Sequence, residues 1–200
     1  MAQNPKRIFQ KTKIPKPKRL TFELPKGTVD LEIGAGTGDF ALAYAKQNPS
    51  RTLLSVEHTH ERFRKFKNKW NQNKPDNLIP IHANAIGFTV HYLPPECLSR
   101  IFILYPNPYP KPSQQNNRWP NMPFMEFLIE RLEPKGTLVL ATNLDDYADL
   151  AKQRYIHTWN LDLVEEKALN QTSKELPLTL FEKKYRERGE TCFHLTFQKK

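Results

Sequence analysis

The chain has 200 residues, enough for one domain around one hydrophobic core and too few for two large ones. No apolar run approaches the roughly 20 residues of a membrane-spanning helix, so the sequence gives no sign of a helical membrane protein. The net charge of +10 is lopsided: residues 1–20 hold Lys6, Arg7, Lys11, Lys13, Lys16, Lys18 and Arg19 and no acid, whereas the remainder carries 24 bases and 21 acids.

Pro5, Pro15 and Pro17 interrupt the basic stretch, which reads as a flexible arm over residues 1–20 ahead of one domain over 21–200. No apolar segment follows it, so it does not read as a secretory signal. Such an arm suits a nucleic-acid partner, and equally a tail that only keeps the protein in solution. From Thr28 onward, short apolar runs alternate with amphipathic ones. Strands are predicted at Thr28–Ile33, Thr52–Val56, Leu78–His82, Arg100–Tyr105, Thr137–Ala141 and Cys192–Phe197. Helices are predicted near Asp39–Gln47, Glu61–Asn71, Met122–Leu132 and Asp145–His157. That alternation implies α/β architecture, a doubly wound parallel sheet covered on both faces. The segment Tyr105–Pro123 packs six prolines into a long loop after the fourth strand. Ligands of such sheets bind at the carboxyl ends of the strands, so a long loop there points to function.

The first strand runs into Glu32-Ile33-Gly34-Ala35-Gly36-Thr37-Gly38-Asp39 and then a helix. Glycines there allow a tight turn and let a ligand lie against the backbone. About 20 residues on, Glu57 ends the second strand, where a carboxylate can hold a ribose diol. A dinucleotide site would need glycine at position 39, which is Asp39, and Glu32 would repel a pyrophosphate. A carboxylate at that point suits an ammonium and a sulfonium. The pattern E-x-G-x-G-x-G resembles the first motif of the S-adenosylmethionine-dependent methyltransferases.

Six blocks carry a closer resemblance over residues 28–198: LEIGAGTGDF, SVEHTHERFRKF, NLIPIHANA, FILYPNPYPK, LVLATNLDDYA and TLFEKKYRERGETCFHLTF. In this order they resemble the tRNA (guanine-N7)-methyltransferases, whose typical P-D-P-W-x-K block follows the fourth strand and whose T-x-F-E block comes late. The resemblance implies a Rossmann-like, mostly parallel seven-stranded sheet, the class I methyltransferase fold. It further implies S-adenosylmethionine as cofactor and methylation of guanine N7 in the variable-loop region of tRNA. Carried over by position, Glu32, Gly34, Gly36, Gly38, Glu57, Asn84, Ala85 and Asn107 would hold the cofactor. Asn107 would also be the catalytic residue, and Lys111, Asn143, Thr179 and Glu182 would meet the substrate nucleotide. Asn107 and Asn143 replace the family's aspartates, and the basic run after the proline-rich block is reduced to Lys111 and Arg118.

Two other readings stay open. Asn107-Pro108-Tyr109 is close to the N-P-P-Y of methyltransferases acting on exocyclic amines, and the asparagines suit a catalytically weak paralogue that binds RNA. The cations Arg62, Arg64, Lys65, Lys67 and Lys69 fit a solvated helix face or a phosphate track, whereas Lys183, Lys184, Arg186 and Arg188 fit phosphate contacts. Trp70 and Trp119 read as packing anchors. Cys97 and Cys192 read as reduced thiols of a cytoplasmic protein, and His58 and His60 as surface residues, with no metal expected.

Overall fold

A computed structural model describes residues 8–18 and 20–200. Its strands are β1 (Val29–Ile33), β2 (Thr52–Glu57), β3 (Leu78–His82), β4 (Leu98–Leu104), β5 (Leu132–Thr142), β6 (Leu161–Leu169) and β7 (Cys192–Lys199). Its α-helices are α1 (Asp39–Gln47), α2 (His60–Asn73), α3 (Ala85–Tyr92), α4 (Phe124–Ile129), α5 (Asp145–His157) and α6 (Leu180–Glu187). The strands form one sheet in the order β3-β2-β1-β4-β5-β7-β6, parallel except for β7, which runs antiparallel to β5 and β6. The Rossmann-like seven-stranded arrangement is therefore present. Chain order leaves β1 in one direction and returns to pair β4 on its other side, so β1 and β4 flank the switch point where such sheets bind ligands.

Alternation along the strands explains why both faces are covered. Val29, Leu31 and Ile33 of β1 pack in the cluster that holds Phe88 of α3, Phe124 and Leu128 of α4 and Tyr147 and Tyr155 of α5. The opposite face packs Leu53 and Phe102 against Phe40 and Tyr44 of α1 and Phe66 of α2. Asp30 and Glu32 interrupt the apolar run of β1, and both are buried. Asp30 is compensated by the Tyr44 hydroxyl at 2.7 Å and by Arg51, whose Nε donates at 2.7 Å.

Among the strands and α-helices, α3, β6 and α6 have no counterpart in the predicted elements. No element is predicted over residues 85–92, where β-branched Ile86, Thr89 and Val90 weaken the helical pattern, but Asn84 caps α3, accepting from Ile86 N–H at 2.9 Å and Gly87 N–H at 3.2 Å. The strand β6 carries Glu165, Glu166 and Lys167 as an exposed edge strand, a charge pattern that hides strand periodicity and blunts the edge. The predicted Met122–Leu132 helix shortens to α4, because Leu132 already belongs to β5. Of the basic arm, Lys6, Arg7 and Arg19 lie outside the described residues. Residues 8–18 lie against the domain: Phe9 packs edge-on to Phe124 at 5.3 Å, and His91 Nε2 meets the Ile14 carbonyl at 2.8 Å. The Phe9 ring and the Ile14 backbone carbonyl make that docking. Among the described residues no helix is long and apolar enough to cross a membrane, and no group of three or more His, Cys, Asp or Glu is placed to hold a metal.

Candidate functional site

The loop after β1 is tied to β2 by the Gly34 and Ala35 N–H groups, which donate to the Val56 carbonyl at 2.8 and 3.0 Å. Gly36 has φ +58°, and a Cβ added there would meet nothing within 4 Å, so it leaves room on the open side of the loop. Gly38 has another role. Its φ is +81° and an added Cβ would fall 2.0 Å from the Phe66 ring, so this glycine seats α1 against α2 and does not line the cleft.

At the carboxyl ends of β1 and β4 two lobes of about 400 and 660 Å³ share Gly34, Arg62, Leu104, Tyr105, Pro106 and Asn107 as walls. The smaller lobe brings together Glu57, Asn84, Ala85 and Asn107, with Ile86 and Met122 as apolar neighbours. The larger lobe brings together Glu32, Gly36, Asn107 and Thr179. Sequence positions 32–107 that were expected to share a ligand therefore converge, apart from Gly38.

Glu57 is held by Gly36 N–H at 2.8 Å and Thr59 N–H at 2.6 Å, so its carboxylate bridges the glycine loop and the start of α2. Glu32 accepts a hydrogen bond from the Ser55 hydroxyl. Burial pushes its carboxyl up to about 7; the Ser55 bond opposes this, and the charge of Glu57 adds to it. A buried acid poised near neutrality favours a cationic ligand group, which would complete its ionisation. The donor set fits S-adenosylmethionine: a carboxylate for the ribose, an open glycine loop, a carboxylate toward the cationic end, and an apolar slot for the adenine.

Asn107 sits at the junction of the lobes on the proline-rich loop. Tyr105 and Tyr109 on either side have φ of +49° and +43°, the left-handed region that non-glycine residues avoid at about 1–2 kcal/mol each. The loop is over-determined by Arg118, which is buried despite its charge. Its Nε donates to the Pro108 carbonyl at 2.8 Å, its Nη1 pairs with Asp146 at 2.8 Å, and its guanidinium lies 5.0 Å from the Tyr147 ring centroid.

The residues expected at the substrate are dispersed. Thr179 lines the larger lobe and caps α6, its hydroxyl accepting from Glu182 N–H at 3.1 Å. Glu182 lies beneath the lobe, fully buried, and accepts from Leu178 N–H at 3.0 Å, His194 Nε2 at 3.0 Å and Arg186 Nη1 at 3.3 Å. Burial alone would push its carboxyl up, but the bond and charge of His194, the Leu178 N–H and Arg186 together hold it below the ordinary carboxylate value. Asn143 donates to Glu190 at 2.7 Å, outside both lobes, and Lys111 is exposed on the loop. Arg186 is not available to phosphate, because its donors are spent on the carbonyls of Asn170, Ser173 and Glu175 and on Glu182. Lys183 and Lys184 remain exposed and line the larger lobe, as does Arg62 from α2. Trp70 is an anchor, its Nε1 donating to the Leu78 carbonyl at 3.0 Å. Sequence reasoning missed α6 itself, although Thr179-x-x-Glu182 is a capping-box signature that marks a helix start.

The curated tRNA (guanine-N(7)-)-methyltransferase of Chlamydia abortus is 28% identical over 169 residues, covering 84% of this chain and 75% of that protein. Among solved structures, the 16S rRNA methyltransferase KamB superposes with TM-score 0.63 at 19% identity, covering 86% of this chain and 87% of that one. The TYW2 protein of M. jannaschii, solved in complex with AdoMet, superposes with TM-score 0.53 at 15% identity, covering 86% and 69%. At those identities the two structures show a shared class I methyltransferase fold. Residues 26–195 match the family described as "Putative methyltransferase", and the chain belongs to that methyltransferase family.

Proposed function

We propose that this S-adenosylmethionine-dependent enzyme methylates N7 of guanine in the variable-loop region of tRNA. The observation that carries the reading is the meeting of three blocks at one cleft: the glycine loop, the Asn107 loop pinned by Arg118, and the Thr179 cap of α6. In the proposal Glu57 holds the ribose, Asn84 and Ala85 face the adenine, and Glu32 receives the cationic end.

When bound, S-adenosylmethionine supplies an electrophilic methyl, which the N7 lone pair takes as the carbon–sulfur pair returns to sulfur. N7 carries no proton, so no base is required, and the work of the chain is alignment and charge placement. Asn107 orients the base through its side-chain amide at the junction of the lobes. Thr179 faces the same lobe. Glu182 and Asn143 act on the nucleotide through the segments they hold, and Lys111 adds a phosphate contact with Arg62, Lys183 and Lys184 on the rim. The tRNA partner and a cytoplasmic setting belong to the same proposal; the exposed cations at the mouth and the net charge of +10 support it.

Labelled methyl transfer to unmodified total tRNA, followed by nucleoside analysis, tests the reading. The expected product is 7-methylguanosine. Label in an N-methylated exocyclic amine would replace this reading with the amine reaction, and no label in single turnover would leave a binding protein.

A further inference from the structure

The larger lobe holds a row of rings that the proposed chemistry does not use. Phe181 stacks on Tyr185 with centroids 6.4 Å apart and planes 24° apart, and Tyr185 meets Tyr105 at 5.7 Å and 36°. All three residues line the lobe that holds Glu32, Asn107 and Thr179. The row runs from the mouth inward: Phe181 is 52% exposed, whereas burial raises the Tyr105 hydroxyl, which sits beside Cys192 and Glu182, well above the ordinary tyrosine value. An aromatic ring left half in water at the entrance of a cleft is a surface awaiting a planar partner. Exposed Lys183, Lys184 and Arg62 line the same lobe, which suits the phosphates on either side of a single nucleotide.

The charge of the lobe gives the ring a second task. Methylation at N7 turns guanine into a cation, and Asn107 brings no negative charge to it. Of the acids that line the lobe, Asp39 is bonded to Lys69 at 2.7 Å and to the Thr37 hydroxyl, Glu32 is assigned to the cationic end of the cofactor, and Glu187 is an exposed side chain 3.9 Å from Lys183. The face of an aromatic ring carries a negative quadrupole and attracts a cation placed over it.

We propose that Phe181, backed by Tyr185, is the stacking platform for the target guanine, and that its ring face stabilises the positive charge that develops as N7 is methylated. This rests on the guanine-N7 reading and names the residue that positions the base within it. Phe181 stacks on either form of the base and prefers the cationic one, so the platform acts more strongly on the transition state than on the substrate.

Binding and turnover together test it. With S-adenosylhomocysteine present, calorimetry compares guanosine 5′-monophosphate with 7-methylguanosine 5′-monophosphate on wild type, Phe181→Leu and Phe181→Trp. Wild type is expected to bind the methylated nucleotide about fivefold more tightly. Leucine preserves apolar bulk but has no ring face, so Phe181→Leu should erase that preference and raise KM for tRNA about tenfold. Phe181→Trp should retain both properties, and an unchanged affinity for S-adenosylhomocysteine in all three proteins shows the cofactor lobe intact. Equal affinity of wild type for the two nucleotides, or a Phe181→Leu protein indistinguishable from wild type, overturns the proposal. Failure of the guanine-N7 reading looks different: label then appears in another nucleoside, whereas failure of the platform alone leaves 7-methylguanosine as the product while wild type binds the two nucleotides equally.

Discussion

Replacing Glu182 with alanine separates a residue that touches the substrate from one that holds the wall of its site. The carboxylate is fully buried and joins three elements: the 170–179 loop through Leu178 and Arg186, α6 through its own position, and β7 through His194. Removing it leaves the Arg186 guanidinium, 7% exposed, without its counter-charge and leaves the Leu178 N–H unpaired. Breaking a buried pair from one side costs about 3–5 kcal/mol. Arg186 keeps its bonds to the carbonyls of Asn170, Ser173 and Glu175, so the lower end applies, about 3 kcal/mol. With a urea slope of about 2 kcal/mol per molar, the unfolding midpoint should drop by roughly 1.5 M. The loop should also become a target for limited proteolysis before the rest of the domain unfolds. The pH dependence follows from the lowered carboxyl. A group whose pKa falls on folding contributes its full stabilisation above its unfolded value of 4.5 and loses it as pH falls through the lower folded value. Glu182→Ala should therefore narrow its gap to wild type on acidification below that value. An unchanged urea midpoint and unchanged loop cleavage, with methyl transfer lost, would refute the structural role and make Glu182 a direct substrate contact.

Three further outcomes follow from the glycine loop and the two carboxylates beside it. Glu57→Ala should weaken S-adenosylmethionine by about 1–3 kcal/mol in calorimetry, the scale of hydrogen bonds to a charged group; wild-type affinity in the variant would remove Glu57 from the ribose. Glu32, raised to about 7, should make cofactor binding strengthen with pH below that value by up to about tenfold per unit, because the cationic ligand favours the ionised form. Glu32→Gln should flatten that profile, and a slope that survives the substitution assigns it to another group. Gly38→Ala should cost about 1–3 kcal/mol in thermal or urea unfolding, since its Cβ would fall 2.0 Å from the Phe66 ring; a neutral result would mean that α2 yields freely.

What the sequence made legible was the local geometry. The Val29–Ile33 alternation and the glycine spacing are encoded within a few residues of where they act, Glu57 is marked by its place at the end of the next strand, and together they assembled one lobe almost complete. The features that escaped are non-local or cap-driven. Nothing within four residues of Arg186 reveals that carbonyls at 170, 173 and 175 absorb its donors, so a cation in a basic run reads as a phosphate contact. Arg118 is similar, because its partners Pro108 and Asp146 lie 10 and 28 residues away. The helix α3 depends on the Asn84 cap overriding β-branched residues, and a strong cap is a single-residue signal inside a contrary window. Substrate residues are the least legible because they are spread over the loop after β4, the turn after β5 and the start of α6, whose mutual placement only the sheet order fixes.

Asn107 is where the chemistry can be pushed in either direction. It sits at the junction of the two lobes, on a loop bracketed by left-handed residues and pinned by Arg118, so a side chain of the same shape should be held in the same place. Asn107→Asp changes charge with little change in size. If the reaction makes a cationic guanine, the new carboxylate stabilises a charge that exists only from the transition state onward, and the gain belongs in kcat more than in KM. One well-placed electrostatic group is worth about 10²–10³ in rate, but asparagine already supplies a hydrogen bond, and the Phe181 ring face already shares the charge. An increase of about tenfold in kcat is therefore expected, measured as 7-methylguanosine formed per turnover. If Asn107 instead grips an exocyclic amine, Asn107→Asp leaves an acceptor for the amine hydrogens in place, so the label should lie in an N-methylated amine in both forms and 7-methylguanosine should be absent. A protein that only binds RNA would label nothing in either form. A fall in 7-methylguanosine with cofactor affinity unchanged would refute the charge argument while leaving the fold and the cleft as they are.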